Sequence, residues 1–134
     1  MLAEFTAICP VTTLPVLREL LGNCALCQQR VGPAGLVAGT CRACRVLAVV
    51  TESDPRMARL LGEYPRLERW RRWRLSETLT AYIAVGAGIF KRLLLVVDKT
   101  SLEPLYLAEG QRLLRTWSPV APADRNRILR REPE

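Results

Sequence analysis

Four of the five cysteines fall in one short stretch, CALCQQRVGPAGLVAGTCRAC (24–44), as two Cys-x-x-Cys pairs with thirteen residues between them. Two such pairs can close one tetrahedral site. Each tight turn supplies two thiolates, and the segment between them returns the chain. Gly32-Pro33-Ala34-Gly35 is a strong turn signal for that return. Gly39, just before the second pair, can take the positive φ that a metal-binding turn often needs. Zinc patterns of this type usually leave ~15–20 residues between pairs; thirteen suits a compact hairpin. The expectation is a structural Zn2+ held by Cys24, Cys27, Cys41 and Cys44, with no position left open for water. Two disulfides would require an oxidising compartment, and MLAEFTAICP has no basic n-region of an export signal. A redox pair would be expected beside a thioredoxin-like βαβ unit and would leave the second pair unexplained. An iron–sulfur cluster also takes four cysteines, and spacing alone leaves it open. Cys9, beside Pro10, reads as a small buried hydrophobe and is assigned no role.

Through those four cysteines, residues 24–44 resemble the zinc-ribbon and treble-clef modules as a broad class. The resemblance covers about a sixth of the chain. It implies a structural zinc and a frequent role in binding nucleic acid or protein. Gln28 and Arg45 stand where zinc knuckles usually carry glycine.

Charge divides the chain. Residues 1–54 hold four basic and four acidic side chains, whereas 55–134 hold sixteen and nine, so the whole net charge of +7 follows the cysteine module. A basic half suggests an anionic partner, nucleic acid, an acidic protein face or, third, a membrane surface, with solubility alone as the plain alternative. Eighteen of the twenty basic residues are arginine. The longest uncharged runs, 5–17 and 78–90, fall short of the ~20 apolar residues a spanning helix needs. A soluble, cytoplasmic protein without membrane contact is expected.

Along the chain, AEFTAI reads as a short strand and TTLPVLRELLG as a short helix. RVLAVVT (45–51) reads as a buried strand, and SDPRMARLLGEY as a helix capped by Ser53 or Asp54 with Pro55 in its first turn. RLLLVVD (92–98) is the clearest buried strand, residues 105–108 a returning one, SPVAP a linker, and ADRNRILRREPE a short basic helix or tail. The expected architecture is α+β: one compact domain over 1–134, in which a small zinc-stapled N-terminal lobe packs on helices and a short antiparallel sheet. The zinc module is 24–44, and the basic α+β part is 53–134.

PRLERWRRWRLSETLTAYIAVGAGIF carries the second signal. On a helix over 66–88, Leu75, Leu79, Tyr82, Ile83, Gly86, Ile89 and Phe90 gather on one face, with Trp70 and Trp73 elsewhere beside Arg66 and Arg74. Arg71 and Arg72 would fall on the apolar stripe, so the first two turns must project beyond the core or the helix must begin differently. Outward tryptophan can stack on unpaired bases while arginine holds phosphate. The same pair of residue types is enriched at protein–protein hot spots. Packing of both tryptophans in the core is the third reading. Candidate nucleic-acid contacts are Arg66, Arg69, Trp70, Arg71, Arg72, Trp73 and Arg74, with Arg125, Arg127, Arg130 and Arg131 as a further basic segment.

The chain has no histidine, which removes the usual general base and the Ser-His-Asp and Cys-His arrangements. VGAG (85–88) is not a phosphate loop, and Asp98 at a strand end reads as a turn residue. Catalysis and a small-molecule substrate are therefore not expected. The expected function is that of a zinc-stabilised basic nucleic-acid-binding protein, RNA or DNA, acting as a subunit or accessory factor of a nucleoprotein complex. The alternative is a protein-binding adaptor on a transcription or CRISPR-type effector assembly.

Overall fold

The computed structural model describes residues 6–37, 39–111 and 116–129. The N-terminal lobe consists of short paired segments: β1 (Thr6–Ile8) with β2 (Pro15–Leu17), β3 (Gly22–Asn23) with β4 (Arg30–Val31), and β5 (Leu36–Val37) with β6 (Thr40–Cys41). The single-turn helix α1 (Arg42–Arg45) closes it. The main sheet then runs through β7 (Ala48–Val49), β8 (Arg71–Glu77), β9 (Ala81–Ala87), β10 (Lys91–Asp98), β11 (Pro104–Gln111) and β12 (Trp117–Pro119). Each of these strands pairs antiparallel with the next, so the six form a simple meander. Helices α2 (Pro55–Glu63) and α3 (Arg125–Leu129) complete the chain.

The α+β expectation is overturned. The architecture is dominated by one six-stranded antiparallel sheet, and only α2 exceeds five residues among the described helices. The helix expected over 66–88 is instead a 3-10 turn (Pro65–Arg69) followed by the β8–β9 hairpin. Two facts explain the error. Trp73, Leu75 and Ser76 are buried while Arg72 and Arg74 are exposed, close to an alternating strand pattern. Thr78-Leu79-Thr80 is a turn, with the Thr78 N–H on the Ala81 carbonyl at 2.8 Å and the Thr78 hydroxyl accepting from the Ala81 N–H at 3.1 Å. TTLPVLRELLG likewise is not a helix but β2 and a 3-10 turn at Arg18–Leu20. SPVAP is not a linker: Trp117–Pro119 pairs with β11. The strands expected at 92–98 and 105–108 are β10 and β11, and the Asp54 carboxylate caps α2 through the Arg56 N–H at 2.9 Å.

The sheet is covered on both faces, which is why β10 reads as an unbroken apolar run. Leu93, Leu95 and Val97 pack under Met57, Leu60, Tyr64, Leu67 and Leu129. Leu94 and Val96 face the cysteine lobe together with Ile83 and Ala108. The lobe therefore lies on the sheet, not on helices. Two hydrogen bonds tie it there: Leu79 N–H to the Pro10 carbonyl at 2.7 Å, and the Thr78 hydroxyl to Gln29 Oε1 at 3.0 Å.

Candidate metal centre and basic face

Cys24 and Cys27 sit on the turn that joins β3 to β4. The Cys24 N–H bonds to the Gln29 carbonyl at 2.9 Å, and the Gln28 N–H returns to the Cys24 carbonyl at 3.0 Å. Gln28 takes φ +64°, so the turn has the left-handed residue that glycine would usually supply. Cys41 ends the β5–β6 hairpin and Cys44 lies one turn into α1. Gly39 has φ +85°, as its place before the second pair implied, and its carbonyl accepts from the Ala25 N–H at 2.8 Å.

The four sulfurs lie within 4.8 Å of one another, and all four residues are buried. Cys24 Sγ is 3.7 Å from Cys44 Sγ, and Cys27 Sγ is 3.7 Å from Cys41 Sγ. These are not disulfides, whose sulfurs sit at ~2.05 Å. They match the edge of about 3.8 Å expected when four sulfurs surround one ion at ~2.3 Å. Backbone N–H groups of Leu26, Cys27 and Cys41 point at Cys24 Sγ at 3.4, 3.5 and 3.2 Å, which orients the ligand and stabilises negative charge on it.

Thiols this close share protons. Hydrogen bonds with Cys27, Cys41 and Cys44 hold Cys24 far below the ordinary thiol range. Cys24 in turn pushes Cys27 and Cys44 well above that range. It also pushes Cys41 upward, but the bonds from Cys27 and Cys44 outweigh it and bring Cys41 down to about 7. A cation at the centre would replace the shared protons and relieve the repulsion among four thiolates. The arrangement is therefore a site for one metal ion.

The other candidate residues divide between the core and the surface. Trp73 is 6% exposed, in the core, its indole N–H on the Trp70 carbonyl at 3.1 Å. It offers no face for stacking. Trp70 is half-buried, its ring against Gly88, where a Cβ would come within 3.1 Å of it. Gly86 lies against Trp73 in the same way, at 2.9 Å. Arg71 and Arg74 flank a bulge in β8 that contains Arg72, at φ +55°, and the Arg71 and Arg72 side chains are exposed. Arg74 is exposed further along β8, opposite Val49. Arg125 donates to the Pro104 and Leu105 carbonyls at 3.2 and 3.4 Å, clamping α3 to β11. Arg127 lies on α3, whereas Arg130 and Arg131 fall outside the described residues.

Trp70 and its neighbours frame a set of adjoining open grooves. One, of about 560 Å³, is lined by Arg66, Arg69, Trp70, Phe90, Lys91 and Ile128 among others. Arg69, Arg71 and Arg72 line its neighbour, of about 450 Å³. Ile89 and Phe90, at the tip of the β9–β10 hairpin, are 79% and 80% exposed. The helix expected from the sequence puts them on an apolar stripe; the hairpin instead projects them at this rim. The signal was Gly88 between two β-branched strands, which marks a hairpin tip.

The fold and site define a class: a four-cysteine metal-binding lobe seated on an antiparallel sheet. Comparison with protein families, curated proteins and solved structures finds no match for the chain. No helix among the described residues is long and apolar enough to cross a membrane.

Proposed function

We propose that the chain is a zinc-stabilised, basic nucleic-acid-binding protein, a subunit or accessory factor of a nucleoprotein complex. One observation carries the reading. Arg66, Arg69, Arg71 and Arg72 converge on adjoining grooves around Trp70, with Phe90 exposed at the rim. Guanidinium groups bind phosphates, and a projecting aromatic ring stacks on an unpaired base for ~1–3 kcal/mol. The chain's +7 charge, all of it after the cysteine module, adds long-range attraction for a polyanion. Single strands suit the grooves, because stacking needs splayed bases.

Zinc is the metal the site suits best. Sulfurs 3.7 Å apart fit one ion, whereas a multi-iron cluster spreads its thiolates over several metal atoms. All four positions are taken by protein, so the ion's work is structural. Cys41→Ser should release the zinc and unfold the N-terminal lobe, read by metal content and by lost amide protection in residues 22–45. Unchanged stability after strong chelation would contradict this reading.

The direct test titrates zinc-loaded protein against fluorescent single-stranded RNA and DNA at rising salt. Binding at low salt that weakens steeply is the expected result. No binding at low salt contradicts the proposal. A protein partner is the second reading, favoured by the apolar pair Ile89 and Phe90 at the hairpin tip. In that case Ile89→Ala with Phe90→Ala abolishes partner capture, and salt has little effect on capture by the unaltered chain.

A further inference from the structure

The turn around Cys9 repeats the metal-binding turn bond for bond. The Cys24 N–H reaches the carbonyl five residues on, and the N–H four residues on returns to the Cys24 carbonyl, at 2.9 and 3.0 Å. The Cys9 N–H reaches the Leu14 carbonyl at 2.9 Å, and the Thr13 N–H returns to the Cys9 carbonyl at 2.8 Å. The N–H three residues on faces the sulfur in both: Cys27 to Cys24 Sγ at 3.5 Å, Thr12 to Cys9 Sγ at 3.4 Å. The residue after it is left-handed in both, Gln28 at +64° and Thr13 at +61°. Thr12 thus occupies the place of a second cysteine.

The return half repeats as well. In the metal site a more distant backbone N–H, that of Cys41, donates to Cys24 Sγ at 3.2 Å, and a short helical turn follows. At Cys9 the donor is the Gly32 N–H, at 3.3 Å, and the 3-10 turn Pro33–Gly35 follows. Gly32 then stands where Cys41 stands, and Gly35 where Cys44 stands. The four pairs, 9/12, 24/27, 32/35 and 41/44, share one internal spacing and alternate along the chain between the two centres.

We infer that the N-terminal lobe is an interleaved two-centre metal module in which one centre, Cys9–Thr12 with Gly32–Gly35, is closed by apolar packing instead of a metal. The fill is visible at the glycines. A Cβ on Gly35 would meet Val31 Cγ1 at 2.6 Å and come within 3.5 Å of Thr12 Cγ2. A Cβ on Gly32 would meet Val16 Cγ2 at 2.9 Å. Valine methyl groups take the space that ligand side chains would cross, and Cys9 and Val31 have no exposed surface. Cys9 is retained as an acceptor for two backbone N–H groups and not as a ligand. The chain therefore takes one zinc.

The experiment restores the missing ligands and clears the fill: Thr12→Cys, Gly32→Cys and Gly35→Cys, with Val16→Ala and Val31→Ala. Native mass spectrometry should count one zinc in the wild-type chain and two in this variant. Thiolate-to-cobalt absorption per chain should double on cobalt loading. A folded variant that still takes one metal overturns the inference, as does a wild-type chain that takes two. A milder change keeps the test decisive if that variant does not fold. Cys9→Ala should keep one zinc while amide exchange quickens at Thr12 and Gly32. Loss of the zinc, or unaltered exchange at those two amides, overturns it.

Discussion

Gln28 and Gly86 show how single residues set this lobe and sheet. Gln28 adopts the left-handed conformation of the metal turn, which costs a residue with a Cβ about 1–2 kcal/mol. Glycine removes that cost but adds freedom to the unfolded chain. Gln28→Gly should therefore raise stability by about 0.5–1 kcal/mol, seen as a higher denaturant midpoint at unchanged slope. Gly86 works the other way. It lies against the ring of buried Trp73, which cannot retreat. Gly86→Ala should cost about 1–3 kcal/mol by overpacking, measured in the same unfolding experiment. The residue scale also shows what the sequence carried. The four ligands were legible because metal chemistry demands a fixed spacing. The left-handed turn was not expected at Gln28, because glutamine gives no sign that the ligands force its backbone.

Among the elements, α2, β10 and β11 were readable for local reasons: Asp54 and Pro55 mark a helix start, and Leu93–Val97 can be buried only between two layers. The β8–β9 hairpin was not. Its apolar residues fit a helical wheel and a two-faced strand equally well, and the arginines on β8 obscured the alternation. The bulge at Arg72 shifts the register between Arg71 and Arg74, a displacement no local pattern announces. The end of this hairpin nearest the lobe also anchors charge. Glu77 pairs with Lys99 at 2.6 Å and with Arg56 at 3.0 Å, and these partners hold its pKa below the usual 4.5. A carboxylate lowered on folding adds stability that is complete above the unfolded value and is lost as pH falls through the folded one. Stability should thus decline below pH 4.5, and Glu77→Gln should flatten that decline. Because Glu77 is 42% exposed, the effect is small and weakens in high salt. Parallel acid limbs for the wild type and the variant, in paired thermal melts from pH 6 to pH 3, would count against it.

Across the whole molecule, labour divides between the two faces of one sheet. The neutral lobe, closed by its thiolates, covers one face of β9, β10 and β11. The helices cover the other, and the grooves of arginine open where the 3-10 turn, β8 and the β9–β10 tip meet. On this account the metal stabilises the scaffold while Arg69, Arg71 and Arg72 carry phosphate contacts. The sharpest measurement is the salt dependence of single-stranded RNA binding by the zinc-loaded wild type and by the Arg69→Gln, Arg71→Gln, Arg72→Gln variant. Each lost phosphate contact on a single strand removes ~0.7 from the slope of log affinity against log salt, so the triple change should flatten it by about 2. An equal slope for the two proteins would contradict the assignment of this face.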